Sequence, residues 1–151
     1  MNTAKSIVVL NNLIEINNDR IEGYEIATKI TEENDLKNLF SEFQETSLKC
    51  KSELVEEVKK MGGIPVEKTK ITARLLKFWH NFMATLNYRE REDLLNSCEY
   101  EDFVIMKNYR DTVSNNLEHL TYELQIKLKA QQLLLKADHD KVKELGDLML
   151  V

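Results

Sequence analysis

One proline and four glycines in 151 residues leave this chain few places where a helix has to stop. Proline removes a backbone donor, and glycine costs about 1 kcal/mol in a helix interior, so a sequence nearly free of both can run in long helices. The breakers concentrate at Gly62-Gly63-Ile64-Pro65, which predicts an abrupt helix end there. Length sets one domain as the expectation, residues 1–151, with a single core. A hydrophobic fraction of 42% is enough to build that core and excludes intrinsic disorder.

Apolar residues recur at helical spacing in four long stretches. The first covers residues 4 to about 31, with Ile7, Leu10, Ile14, Ile21 and Tyr24, and closes on the polar cluster TEEND. The second runs from about 35 to 61, with Leu36, Leu39, Phe43, Cys50, Leu54 and Met61 on one face. The third spans about 89 to 115, with Leu95, Cys98, Met106, Tyr109 and Val113, and the fourth about 118 to 147, with Leu120, Leu124, Leu128, Leu135 and Val142. No alternating pattern predicts a strand.

Between the second and third helices lies a connector, about residues 64–88. Its segment ITARLLKFWHNFMATL has the spacing of a short amphipathic helix that would lie against the bundle. Two helical hairpins joined by one long connection define an all-α, ferritin-like four-helix bundle with a single crossover. The competing arrangement is an up-down bundle carrying an insertion.

The formal charge of −5 and the mixing of basic with acidic residues provide no cationic stripe for a phosphate backbone, so nucleic acid is not an expected partner. The apolar run IVVL ends at Asn11 and Asn12, too soon for a signal segment. No stretch approaches the roughly 18 apolar residues of a membrane span, so a cytoplasmic protein is expected. Cys50 and Cys98 stand far apart without CxxC spacing and are expected to be buried free thiols.

The segments LNNLIEINNDRIEGYEIA, SELVEEVKKMGGIP, LLKFWHNF, EYEDFVIMKNY and DHDKVKEL, in this order, resemble a bacterial ferritin-like family of four-helix-bundle proteins without an assigned activity. The most specific pieces are Asp19 to Gly23-Tyr24, Glu53-Leu54 leading to Gly62-Gly63-x-Pro65, and Trp79. The resemblance implies the fold and, through similarity to rubrerythrins and bacterioferritins, a carboxylate-bridged centre of two metal ions. A role in stress adaptation follows by analogy alone.

Such a centre takes one Glu from each of two helices and a Glu-x-x-His from each of the other two, because i and i+3 put both donors on one inward face. Three residues before His80, His119 and His139 stand Lys77, Asn116 and Lys136, so no Glu-x-x-His occurs. On a helical wheel Asp102 falls at the centre of the apolar stripe of the third helix, with Glu99 about 60° to one side. The inward residues at the same height are Asn17, Thr46 and Ser47, and Gln131. One carboxylate among amides and hydroxyls predicts a hydrogen-bonded polar layer, with Asp102 bonded to Gln131 or its neighbours, and supplies too few anionic oxygens for two metals. A buried general base is the other reading of Asp102, and an Asp102→Asn variant that folds with greater stability and unchanged behaviour would support the structural role.

An altered or single-metal site remains the alternative, with Asp19 and Glu22 from the first helix, Glu53 from the second, Glu99 and Asp102 from the third and His139 from the fourth, holding iron or manganese. Asp19 and Glu22 fall toward the outer side of their helix on the wheel and enter through the resemblance. No phosphate loop, nucleophile elbow or paired nucleophile is present in the sequence. The leading expectation is a non-catalytic bundle without a cofactor, acting through protein contacts. Self-association, as a dimer, is expected from bundles of this class and from the apolar LMLV tail. A small-molecule gap beneath Trp79 and Phe78 is a third reading, against which stands the usual packing role of connector aromatics.

Overall fold

The computed structural model describes residues 2–67, 77 and 91–148. Four long helices form among them: α1, Thr3–Ile30; α2, Asn34–Lys60; α3, Arg91–Ser114; and α4, Tyr122–Leu148. No strand occurs among the described residues. The predicted connector helix, with Phe78, Trp79 and His80, lies outside the described residues, as does the LMLV tail beyond Leu148.

Local chemistry sets the helix ends. The Asn2 side chain caps α1 by accepting from the Lys5 N–H at 3.2 Å. The end of α2 has a two-glycine closure: the Gly63 N–H returns to Val58 O and the Gly62 N–H to Lys59 O, both at 3.0 Å. Gly62 takes φ 79°, a conformation that only glycine adopts at no steric cost. The fourth helix starts later than its periodicity predicts. Residues Leu117–His119 form a separate 3-10 turn, buried Leu120 is extended, and Thr121 accepts from the Leu124 N–H at 3.2 Å, so the helix begins at Tyr122.

Contacts at the helix ends fix the topology. Gly63, just past α2, packs on Ile7 near the start of α1, and Ser6 donates to the carbonyl of His119, just before α4. At the opposite end Arg91, which opens α3, pairs with Glu33 at 2.9 Å and Asp35 at 2.7 Å, at the start of α2. Hence α2 and α3 start at the same end and run parallel, while α1 and α4 run the other way. The chain leaves α2 beside α1, with Val66 N–H bonded to Asn11 and Glu67 O to Asn18, and re-enters at Arg91. The end of α2 and the start of α3 thus stand at opposite ends of the bundle, an arrangement that an up-down bundle does not have.

Each helix presents an apolar seam at alternating spacings of three and four. In α1 it is Leu10, Leu13, Asn17, Arg20, Tyr24 and Ala27; in α2 it is Leu36, Phe40, Phe43, Ser47, Cys50 and Leu54. Phe40, not Leu39, fills the second of those places, and Leu39, Ile7, Ile21, Met61 and Met106 are half-buried at the seam edges. The buried apolar residues form two clusters. One gathers Leu10, Leu13, Leu54, Tyr109, Leu124 and Leu128, the other Tyr24, Leu36, Phe40, Phe43, Leu95 and Val142. Polar seam residues separate them. No helix among the described residues is long and apolar enough to cross a membrane.

The candidate functional site: a charged centre between four helices

Arg20 is 2% exposed, the largest of the fully buried side chains. Its place on the α1 seam, three residues after Asn17 and four before Tyr24, points it into the middle of the bundle. All five of its N–H groups find acceptors. Nε and Nη2 donate to the two oxygens of Asp102 on α3, at 3.0 and 3.2 Å. Nη1 donates to Phe43 O at 2.9 Å and Ser47 Oγ at 3.0 Å on α2, and Nη2 also reaches Asp138 on α4 at 3.1 Å. The guanidinium carbon stands 5.1 Å from the Tyr24 ring centre and 5.6 Å from that of Phe43, so aromatic faces close the remaining sides.

The electrostatics follow from two carboxylates facing one guanidinium in a dry interior. Burial works against the charge of Arg20, but Asp102, with Asp138 adding to it, raises its pKa above the ordinary value. Burial pushes Asp138 above the usual carboxylate range, and Arg20 offsets this only in part. Burial likewise raises the Tyr24 phenol and the Cys98 thiol, and the neighbouring Asp102 adds to both. Both cysteines are free and buried, as expected; Cys50 is pushed up to about 11 by burial and then by Glu53.

A second layer, with uncharged side chains at its centre, lies one heptad along α3 and α4. Asn17 Nδ2 donates to the Tyr109 hydroxyl at 3.4 Å, and that hydroxyl donates to Gln131 Oε1. Gln131 Nε2 then reaches Cys50 O at 3.3 Å and Glu53 Oε1 at 3.0 Å. All four helices contribute to this chain as well. Gln131 is therefore not the partner of Asp102: Tyr109 and Glu53 hold it in one layer, and Arg20 holds Asp102 in the other.

The six candidate ligands are spread over all four helices. Asp102 is buried, as its wheel position requires, and is engaged by Arg20. Glu53, half-buried, bonds Gln131 and lies 3.6 Å from Lys49. Asp19 borders a very small crevice between α1 and α3, which Arg20, Gly23, Glu101 and Asp102 also line. Glu22, Glu99 and His139 are half-buried, and the buried Nδ1 of His139 has no hydrogen-bond partner among the described residues. Among those residues no three His, Cys, Asp or Glu side chains are grouped so as to hold a metal ion.

The residues present do not fit the two-metal centre that the resemblance implies. Both oxygens of Asp102 and one of Asp138 already accept from Arg20, whose charge occupies the space between them. An arginine stays protonated in proteins, so the cation at this centre is permanent.

A protein-family model described as a domain of unknown function, DUF2383, matches residues 5–115. The chain belongs to the DUF2383 family. No curated protein matches it significantly. The DUF2383 segment takes in α1, α2 and α3, with Arg20, Ser47 and Asp102, and ends before α4, which supplies Asp138 and Gln131.

Proposed function

We propose that this DUF2383 protein is a non-catalytic, ferritin-like bundle that acts through contacts with other proteins. The observation that carries this reading is the saturation of Arg20: the centre of the bundle, where relatives at the superfamily level would hold metals, is filled by a side-chain cation with every donor used. The crossover topology supports the ferritin-like part of the reading. A place in stress adaptation rests on the resemblance alone.

Elemental analysis of untagged protein from cells grown with added iron and manganese tests the reading. The expected result is metal far below one ion per chain, and a melting temperature that does not move when either metal is added to the purified protein. Near-stoichiometric iron or manganese, lost on changing Glu99, Asp102 or His139, would replace this reading with that of a metal or redox protein.

A further inference from the structure

The outer face of the α3–α4 hairpin carries an apolar groove that the core does not use. Phe103 on α3 is 55% exposed, and Ile126 and Leu133 on α4 are 55% and 57% exposed. Two depressions meet there, of about 240 and 520 Å³, both lined by Lys129, Gln132 and Leu133. They make one trough from Phe103 and Lys136 at one end to Leu117 and Ile126 at the other. Ten residues of α4 separate Ile126 from Lys136, which at 1.5 Å per residue is a length of about 15 Å.

The rims are cationic. Lys107 and Arg110 stand on the α3 side, Lys129 and Lys136 on the α4 side, and no carboxylate lines either depression. Asp111 pairs with Lys107 at 2.7 Å and with Arg110 at 3.7 Å, and Asp140 with Lys136 at 2.7 Å, all exposed and so weak, while Lys129 makes no ion pair among the described residues. The trough is a basic strip on a chain whose formal charge is −5.

We propose that this groove is a docking site for an acidic amphipathic helix of another protein, of about three turns, its apolar stripe on Phe103, Ile126 and Leu133 and its carboxylates on the two rims. The inference rests on the reading of the protein as a contact module and names the partner's chemistry. Three turns of helix match the length of the trough, and spacings of i, i+4 and i+7 place three apolar anchors along it. Cations on both rims match a ligand with acidic residues on both flanks of its stripe. A fatty acid has one anionic end and would leave one rim unmatched. A second copy docked groove to groove about a twofold axis would bring cation against cation.

The test uses the full chain and a labelled, end-capped 14-residue peptide with leucines at i, i+4 and i+7 and glutamates on both flanks. The controls are a scrambled peptide of the same composition and one with lysine for glutamate. Fluorescence anisotropy is expected to give saturable binding of the acidic helix only, weakened by salt and by about tenfold or more in Lys129→Glu and in Leu133→Glu. Both positions are exposed, and thermal melts verify that the variants fold. Equal binding of the scrambled peptide, no binding of the acidic one, or its displacement by oleate at stoichiometric amounts overturns the proposal. A wild-type dimer in light scattering that Leu133→Glu converts to monomer also overturns it, by making a second copy the occupant. These results are separate from the metal analysis: a failed peptide with metal-free protein rejects the groove and spares the contact-module reading, whereas bound metal rejects that reading whatever the peptide does.

Discussion

Arg20 and Asp102 face each other across the α1–α3 interface with two parallel hydrogen bonds, Nε to Oδ1 at 3.0 Å and Nη2 to Oδ2 at 3.2 Å. Paired this way, a guanidinium and a carboxylate share one plane and tolerate little rotation of either helix. Removing one partner leaves the other charged and buried. Arg20→Met, which leaves two buried carboxylates without a cation, is therefore expected to lose about 3–5 kcal/mol in urea unfolding at pH 7, and Asp102→Asn, which leaves Arg20 paired with Asp138, about 1.5–3 kcal/mol. This reverses the sign expected when Asp102 is read as a lone carboxylate among amides. An Asp102→Asn protein as stable as wild type would show that the pair contributes nothing to the fold.

Asp138 responds in the opposite direction. Burial raises its pKa in the folded protein above the ordinary 3.8. The folded state then binds this proton more tightly than the unfolded chain does. The associated stability is complete below the unfolded value and is lost as pH rises through the folded one. Asp138→Asn keeps an oxygen for Arg20 and removes the surplus negative charge. It is expected to stabilise the protein at pH 7, with the gain shrinking as pH falls toward 4, in paired urea titrations. A gain that does not change with pH would assign the effect to packing.

Tyr109 holds the second polar layer together. Tyr109→Phe keeps the ring but removes the donor to Gln131 and the acceptor for Asn17. A loss of about 1–3 kcal/mol is expected, since two buried amides lose a partner together. A Tyr109→Phe, Gln131→Leu double variant should recover part of that loss, and strict additivity of the two changes would contradict the connected chain of hydrogen bonds.

Gly62 sits at φ 79° with open space around the position of a Cβ. Gly62→Ala is thus a test of backbone strain alone, with an expected cost of about 1 kcal/mol in thermal unfolding. An unchanged melting temperature would mean that the end of α2 re-forms without the left-handed residue.

Much of this architecture was legible because helix breakers are so scarce and so concentrated. The glycine pair marked the end of α2, and the wheel placed Asp102 inside. Arg20 was not anticipated, although its position carries the signal: Leu10, Leu13, Asn17, Arg20, Tyr24 and Ala27 keep the three-four spacing unbroken. A stripe of Ile7, Leu10, Ile14, Ile21 and Tyr24 shares Leu10 and Tyr24 with that seam but centres a fraction of a turn away, which hides the charged residue at a core place. Asp138 escaped for the same reason, standing between Leu135 and Val142 on α4. A charge in a heptad core place is rare enough that apolar residues were the better guess until its partner on another helix was known. The pairing spans 82 positions in the chain, and no local pattern encodes it.

The two polar layers stand seven residues apart on both α3 and α4: Asp102 and Tyr109 on one, Asp138 and Gln131 on the other. Leucine seams alone repeat every heptad and would accept α4 displaced along α3 by about 10 Å, at 1.5 Å per residue. Such a slip would set Asp138 beside the Tyr109 phenol, out of reach of any cation, or Gln131 beside Asp102, with Asp138 pushed beyond Arg20. Because one layer is built on a buried guanidinium and the other on amides and a phenol, they work as two unlike teeth of a key, and only one alignment of the hairpins lets both engage.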